Sequence, residues 1–250
     1  MKKDLSNVKK TKFRKYFWPA IIIALTLLVL ILLLTVHKPR RYAPLKVADQ
    51  NQISPYLTHH LLPALYNGAQ FGDPFEIVMT QAGLNDILAR SPWLIKLHNI
   101  TLADPQIILL PQQIVLMATA KTSPVELVAT VELNPTINTL GQLNLHVSRV
   151  KLGEIDITAV AKLIGDKAYS DWLASTGMEP NNIAAQVCRS LLNDESFEPV
   201  FEFSGKLLRI RQIKTAANQL TVSIVPASVQ PASTPTTHRT GAEPCSVPQP

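Results

Sequence analysis

The sequence predicts an α+β fold in which an N-terminal transmembrane helix precedes a curved antiparallel β-meander packed on a few helices. Three features lead to this prediction. An uncharged apolar run fills residues 17–36, apolar and polar residues alternate between residues 113 and 148, and apolar residues recur every three or four positions from Thr158 onward. Strands that alternate in this way have one apolar face each, so we expect the helices to cover a single face of the sheet.

The apolar run "FWPAIIIALTLLVLILLLTV" is long enough to cross a membrane. As a helix it spans roughly 30 Å, the thickness of one hydrocarbon core. A cleavable signal peptide has a shorter apolar core followed by small residues, whereas this run ends in "LLLTVHKPRR". The sequence therefore predicts an uncleaved signal-anchor in the cell membrane, with Phe17, Trp18 and Tyr42 as aromatic anchors at its interfaces.

Charge predicts the orientation of this single-pass anchor. Residues 1–16 carry seven Lys and Arg side chains, against four between residues 37 and 46. The positive-inside rule then places the N-terminus in the cytoplasm and the C-terminal domain outside, with the reverse orientation as the alternative. The basic tail also accounts for the whole net charge of +6. A nucleic-acid-binding domain would carry its own basic patch, so no nucleic-acid partner is predicted.

The chain is predicted to fall into five segments. The last holds six prolines with Ser, Thr and Gln, a composition typical of disordered tails. Cys188 is predicted to be a small core residue, and a disulfide to Cys245 is the alternative. The segments are a cytoplasmic basic tail at 1–16, the transmembrane anchor at 17–36, a polar tether at 37–50, an extracytoplasmic α+β domain at 51–225 and the disordered tail at 226–250.

The first predicted helix of the domain lies in "ISPYLTHHLLPALY". Ser54 suits an N-cap and Pro55 suits the first helical position. Pro63 lacks a backbone N–H, so we expect it to kink or end this helix. The next run, "FEIVMT", has the composition of a strand.

A second helix is predicted in "TQAGLNDILARSP", with Thr80 as its N-cap. Gly83 weakens a short helix, which indicates close packing at that position. Asn85 is expected to hydrogen-bond to neighbouring backbone, with ligand contact as the alternative. The stripe predicted to be buried consists of Leu84, Ile87 and Leu88.

The alternating runs "QIVLMATAK", "ELVATVEL" and "QLNLHVS" predict the strands of the meander, with turns at "LPQQ", "TSP" and "NPTINTLG". The apolar phase slips between Val147 and Val150, which predicts a β-bulge. Two helices and a closing hairpin, "VFEFSGKLLRIRQI" with "NQLTVSIV", complete the predicted fold. The apolar positions of the two helices are Val160, Leu163, Ile164, Ala168 and Trp172 in the first and Ile183, Val187 and Leu191 in the second.

No common nucleotide, zinc-protease, hydrolase or redox motif occurs in the chain. His59 and His60 are adjacent and point about 100° apart on a helix, so they cannot share one metal as an i, i+4 pair could. Glu154 and Asp156 could form an acid/base pair on one strand face, but a solvated strand end is the simpler interpretation. Asn99 fits a glycosylation sequon. We expect no catalytic residue, cofactor or metal, and no enzymatic activity.

The apolar face of the meander is the remaining candidate for function. Such a face can enclose helices, which is ordinary core, or an acyl chain held between sheet and helices. Periodicity alone favours ordinary core. The residues that would line an apolar ligand are Ile114, Leu116, Leu127, Val131, Leu143, Leu145 and Val147.

Two sequence patterns resemble the YpmS-like family of membrane-anchored bacterial proteins, which is placed near the tubular lipid-binding (TULIP) superfamily. The family pattern T-x-x-x-LN-x-L is matched by Thr80, Leu84, Asn85 and Leu88. The pattern P, then G-x-L/I-x-L, then V-x-x-V-x-x-G, is matched by Pro135, Gly141, Leu143, Leu145, Val147, Val150 and Gly153. The resemblance covers about residues 17–175, and "EIDIT" stands after Gly153 where the family has prolines.

The resemblance implies a TULIP-like sheet curved around a helix, binding of lipid or another apolar ligand, and no known catalytic residues. We therefore expect a membrane-anchored extracytoplasmic protein that binds an acyl chain at the bilayer surface, with unknown protein partners. The alternative is a structural or partner-binding envelope protein whose core is filled by its own side chains. A membrane-tethered hydrolase is a weaker alternative.

Overall fold

Within residues 52–227, the described parts of this 250-residue chain form two antiparallel sheets and four α-helices in a computed structural model. The structure describes residues 21–27, 29–30, 37–47, 49, 52–91, 95–97, 100–122, 125–177, 179 and 182–227. Of the predicted anchor, the structure describes residues 21–27 and 29–30, which are helical. The rest of the anchor lies outside the described residues, and so do Asn99, Cys245 and the tail from residue 228. Among the helices of the described residues, none has the length and apolarity needed to span a membrane.

The strands form a six-stranded and a four-stranded sheet, so the α+β fold with antiparallel sheets is confirmed. The six-stranded sheet has the order β2-β3-β4-β5-β6-β7, and the four-stranded sheet has the order β1-β10-β9-β8. The strands are β1 Phe75–Thr80, β2 Ile95–Leu97, β3 Ile100–Leu110, β4 Gln113–Thr122, β5 Val125–Ile137, β6 Leu143–Leu152, β7 Ile155–Asp156, β8 Val200–Phe203, β9 Lys206–Ala216 and β10 Gln219–Pro226. The helices are α1 Leu62–Phe71, α2 Gln81–Arg90, α3 Thr158–Thr176 and α4 Ile183–Asn193.

The six-stranded sheet contains the predicted meander, and the predicted bulge is confirmed. Val131 pairs with Val150, Glu132 with Arg149, and Leu133 with Val147, so Ser148 is the extra residue. The bulge returns Val150 to the face that Val147 occupies, which explains the slip in apolar phase. Strand β3 is not predicted from the sequence because it contains Pro105.

The β3 strand accommodates its proline at a second bulge. Its register with β4 shifts between Ala103 and Gln106, and Asp104 has a positive φ of 53°. Proline cannot donate a ladder hydrogen bond and is tolerated in strands at such irregularities. The bulge breaks the two-residue period of the strand, so β3 cannot be found from the alternation of apolar and polar residues.

The four-stranded sheet is built from sequence-distant strands. Strand β1 pairs with β10, with Ile77 opposite Val222. The long strand predicted at residues 200–213 is two strands, because Ser204 and Gly205 form a tight turn with φ values of 53° and 75°. Helix α1 packs on this sheet, where the buried cluster consists of Ala69, Ile77, Leu208, Val222 and Ile224.

The first helical segment begins as predicted and continues further. Ser54 accepts a hydrogen bond from the Leu57 backbone N–H at 3.2 Å, and Pro55 begins the helix. Pro63 does not end it. A π-helical turn at Leu57–Leu61 precedes the proline and the helix runs on to Phe71. The wider turn is a local irregularity of the kind that a proline imposes on a helix.

Helix α2 is attached to the edge of β3 by side chains that pair with its backbone. The Asn85 side chain donates to the Ile107 carbonyl and accepts from the Ile107 N–H, both at 2.8 Å. Gln81 accepts from the Leu109 N–H at 2.8 Å. The predicted backbone bond of Asn85 is therefore confirmed. The edge of β3 is paired with a helix at positions where β2 does not reach it.

The predicted start of α2 is also confirmed. The Thr80 hydroxyl accepts from the Gly83 N–H at 3.1 Å. A Cβ at Gly83 would overlap the Tyr56 ring, which accounts for glycine at this position. The Tyr56 hydroxyl in turn accepts from the Thr80 N–H at 2.9 Å, so the first helical segment and α2 are joined at this point.

Helices α3 and α4 lie beside β6. The fully buried Ser190 of α4 accepts a hydrogen bond from the Leu145 N–H at 3.0 Å. Gly165 of α3 lies against the Leu192 backbone, where a Cβ would have no room. Three apolar positions of α3 are exposed, contrary to the prediction, with exposed fractions of 58% for Val160, 84% for Leu163 and 55% for Ile164. The side chains of Ala168 and Trp172 lie outside the described part of the structure.

Replacement of Asn85 by alanine is expected to destabilise the domain, because it leaves two backbone groups of Ile107 without partners. We expect the free energy of unfolding to fall by about 1–3 kcal/mol. The measurement is urea denaturation of the full chain in a non-ionic detergent, followed by circular dichroism. Asn67→Ala, at an exposed position of α1, is the matched control and should change the value by less than about 0.5 kcal/mol. Equal effects of the two substitutions would contradict the edge-pairing role.

Asp86 links the first helical segment to α2, and its contribution is expected to depend on pH. The Ser54 hydroxyl and the Arg90 guanidinium, whose Nε lies 2.9 Å from Asp86 Oδ1, hold the pKa of Asp86 below its usual range. The stabilisation is therefore present above the ordinary pKa of about 3.9 and is lost as pH falls through the lowered native pKa.

We expect Asp86→Asn to lower the Tm at pH 7 by about 2–4 °C, and the difference from the wild-type chain to shrink as the pH falls below about 4. The measurement is a series of thermal melts across this range. Asp73→Asn, at an exposed carboxylate beyond the end of α1, serves as control. A pH-independent difference between Asp86→Asn and the wild type would be inconsistent with the ionised link.

Candidate apolar groove

One face of the six-stranded sheet carries two neighbouring apolar cavities. The larger, of about 480 Å³, lies between β4, β5 and β6 and helices α3 and α4. The smaller, of about 250 Å³, lies between α2 and the bulged part of β3. Leu116 and Val131, which are paired across β4 and β5, line both cavities. We call the two cavities together the apolar groove.

The local folding described above positions the groove walls. Gln81 and Asn85 fix α2 on β3, and Leu88 lies one turn further along the same helical face, where it lines the smaller cavity. The bulge at Ser148 brings Val150 onto the same sheet face as Val147, and both line the larger cavity. Two bulges and three packed helices thus leave an apolar space that the protein's own side chains do not fill.

Three of the seven predicted lining residues line the groove, namely Leu116, Val131 and Val147. Ile114, Leu127 and Leu145 are half-buried and lie outside the two cavities, and Leu143 is buried with its backbone bridged to Phe197. The walls contributed by β3, by α2, by the α3–α4 pair and by Val150 of β6 were not predicted from the sequence. Of these, Leu191 could have been found from the predicted stripe of α4; the missed residues include Leu88, Pro105, Ile107, Val150 and Leu191.

Polar groups are concentrated at one end of the larger cavity. Lys162, Asn193 and Asp194 line that end. The side-chain amide oxygen of Asn193, Oδ1, is buried and has no hydrogen-bond partner within the described ranges. Asp194 is engaged by His146, whose Nδ1 lies 3.0 Å from a carboxylate oxygen. The groove can therefore hold an apolar chain along its length and a polar group at the α3–α4 end.

The opposite sheet face is covered by residues 37–47, which we call the strap. The sequence predicts a short polar tether at residues 37–50, and the described part of this segment contacts the sheet. The position of Tyr42 at a membrane interface stays a prediction. Tyr42 packs on Val115, Met117 and Val128, and its hydroxyl lies 2.7 Å from both the Asp104 carbonyl oxygen and the Thr119 hydroxyl.

Gln106 also fixes the strap to the sheet. Its side-chain carbonyl accepts from the Ala43 N–H at 2.8 Å, and its amide donates to the Arg41 carbonyl at 3.3 Å. Burial raises the pKa of Tyr42, with the Thr119 hydrogen bond opposing this effect, so the hydroxyl stays protonated at neutral pH. The strap is thus attached to the sheet by the packed ring of Tyr42 and by hydrogen bonds from the Tyr42 hydroxyl and the Gln106 side chain.

The remaining predicted polar positions lie apart from the groove. His59 and His60 are exposed on the first helical segment, and His59 Nδ1 lies 3.0 Å from the Pro55 carbonyl. Asp156 accepts from the Thr158 N–H at the start of α3, and Glu154 is exposed in the preceding turn. The described residues contain no cluster of three His, Cys, Asp or Glu side chains suited to a metal. Cys188 is half-buried, and burial raises the pKa of its thiol.

Comparisons with known proteins add no relative to this description. No protein-family model, curated protein or solved structure matches the chain.

Tyr42→Phe is expected to loosen the strap, because it removes the hydroxyl bonds to Asp104 and Thr119 and keeps the ring. We expect trypsin cleavage after Arg41 and Lys46 in the full chain to become about fivefold faster. Peptide mapping over a time course measures this rate. Tyr66→Phe, at an exposed position of α1, is the control. Unchanged cleavage in Tyr42→Phe would show that the hydroxyl does not hold the strap.

Proposed function

We propose that this chain is a single-pass membrane protein whose extracytoplasmic domain binds the acyl chain of a lipid, or a similar apolar ligand, in the apolar groove. The observation that carries the proposal is the meeting of two apolar cavities at Leu116 and Val131. Ligand pockets typically measure about 300–1,000 Å³ and are lined by apolar side chains with a few polar groups. The larger cavity fits this description in its volume, and the lining of the groove fits it in composition.

Physical chemistry favours an apolar occupant. Leucine and valine side chains that face a water-filled groove lose about 25 cal/mol of favourable transfer free energy for each Å² left exposed. An acyl chain would recover this energy along the floor of β4 and β5. At the α3–α4 end, Lys162 offers an ammonium group and Asn193 an unpaired carbonyl oxygen to the polar end of the ligand.

The anchor and the family resemblance support the same proposal from the sequence. The apolar run at 17–36 and the excess of cations at 1–16 favour a domain outside the cell membrane. The patterns at residues 80–88 and 135–153 resemble those of the YpmS-like family, for which a TULIP-like curved sheet and lipid binding are expected. We propose no catalytic activity, because the sequence contains none of the common catalytic motifs and the lining of the apolar groove includes no Ser, Thr, Cys or His side chain.

Photo-crosslinking in a membrane tests this proposal. The full chain is reconstituted in nanodiscs that contain a phospholipid with a photoreactive group at the end of one acyl chain, and crosslinked peptides are mapped by mass spectrometry. We expect crosslinks on β4, β5 and α2 in addition to those on residues 17–36. Crosslinks confined to residues 17–36 would overturn the proposal, because they would show lipid around the anchor and none in the groove.

Val131→Phe provides the matched variant, because a phenyl ring fills the junction of the two cavities. We expect crosslinks on β4 and β5 to fall about fivefold or more, while crosslinks on the anchor stay unchanged. Val78→Phe makes the same replacement at an exposed position of the other sheet and should have no effect. Thermal melts of both variants establish that each is folded. Equal crosslinking in the two variants would contradict binding at the junction.

A second candidate function is binding of a protein partner in the cell envelope. The observation that favours it is the exposed apolar stripe of α3, formed by Val160, Leu163 and Ile164. Exposed contiguous apolar residues on soluble surfaces often mark interaction sites. Crosslinks that map to a partner protein through this stripe, with none in the groove, would favour the second function over the first.

A further inference from the structure

A third cavity, of about 360 Å³, lies on the sheet face opposite to the apolar groove. The strap contributes His37, Arg40 and Arg41 to its lining, and the sheet contributes a floor that includes Ile108, Leu110, Val115 and Met117. Further polar lining comes from Gln113, Thr130, Glu132, Lys151 and Glu154. We call it the strap cavity. It shares no lining residue with the larger cavity of the groove and only Met117 with the smaller one.

The charged groups of the strap cavity are only partly paired with one another. Glu132 is satisfied by Lys151, at 3.7 Å, and by the Gln113 amide, at 3.2 Å. Arg40, Arg41 and Glu154 are exposed, and their charged groups have no partner within the described part of the chain. Two guanidinium groups and one carboxylate therefore line the cavity with free hydrogen-bonding capacity.

A buried hydroxyl points to a ligand at the same place. Thr130 is only 5% exposed, and its hydroxyl has no hydrogen-bond partner in the described residues although it belongs to the cavity lining. Buried polar groups are nearly always hydrogen-bonded, and those that are not call for a ligand or a bound water. An oxygen-rich ligand that enters the cavity would supply the missing partner.

We propose that the strap cavity binds a zwitterionic phosphate group of the phosphoethanolamine type. Guanidinium groups bind phosphate oxygens through paired, charge-assisted hydrogen bonds, so Arg40 and Arg41 hold the phosphate. Thr130 donates to one of its oxygens, and Glu154 pairs with the ammonium. The presence of both signs in one cavity favours a zwitterion over a simple anion, which the carboxylate of Glu154 would repel.

This chemistry is shared by the headgroup of a phosphatidylethanolamine lipid and by free phosphoethanolamine. The strap follows directly on the proposed anchor, which places the cavity near the headgroups of the bilayer; this placement rests on the proposed function, whereas the binding chemistry does not. A soluble headgroup has no acyl chain, so its binding can fail or succeed independently of the apolar groove.

The test measures binding of phosphoethanolamine and of inorganic phosphate to the full chain in a non-ionic detergent by calorimetry. In parallel, nanodiscs of phosphatidylcholine, with and without phosphatidylethanolamine, are compared by headgroup ³¹P NMR. We expect phosphoethanolamine to bind more tightly than inorganic phosphate. An effect in nanodiscs alone supports a lipid headgroup as the source, and binding in detergent supports recognition of the free group. Absence of binding in both arms overturns the proposal.

Three variants assign the roles. The double variant Arg40→Gln/Arg41→Gln is expected to weaken phosphoethanolamine binding at least about tenfold. Thr130→Val should weaken both ligands, whereas Glu154→Gln should weaken phosphoethanolamine and leave inorganic phosphate equal or tighter. Arg211→Gln/Lys214→Gln removes the same charge from an exposed part of β9 and is the control. Equal loss in this control, or no effect of Glu154→Gln, overturns the proposed zwitterion site.

Discussion

The hydrogen bonds between α2 and the edge of β3 are the constraint on which the arrangement of the domain depends. A strand edge with unpaired N–H and C=O groups is costly when buried and prone to aggregation when exposed. Asn85 copies the donor and acceptor pattern of a neighbouring strand at Ile107, and Gln81 adds a bond at Leu109. These bonds close the sheet edge without another strand and fix the helix that forms one wall of the groove.

The two faces of the six-stranded sheet differ in how they are covered. On one face, Tyr42 and the Gln106 side chain hold the strap against a compact cluster formed by Val115, Met117 and Val128. On the other face, helices stand at the two ends and the floor between them stays half-exposed at Leu116 and Val131. The strap thus covers the sheet face where charged groups gather, and the opposite face stays open where apolar side chains gather.

Local chemistry made part of this structure predictable from the sequence. The Thr80 cap and the bulge after Val147 depend on neighbouring residues, and the strands from 113 to 148 follow from alternation. Gly83 indicated close packing, but not its distant partner, Tyr56. Contacts between distant residues were not predictable. The hydroxyls of Tyr42 and Thr119 are hydrogen-bonded although 77 residues separate them in the sequence. In β3, the bulge at Pro105 interrupts the alternation of apolar residues. Three groove residues were predicted because they lie on the same apolar face of the sheet. The walls that make this face a groove come from elements distant in sequence.

The attachment of the strap has a mechanical consequence. A flexible connection would let the domain tumble relative to the bilayer, but here the chain that leaves the proposed anchor is bonded to the sheet within six residues of position 36, at Tyr42. In the proposed membrane protein, the few residues between the anchor and Tyr42 would keep the domain next to the bilayer. A pull on the anchor would then reach the sheet through an aromatic ring.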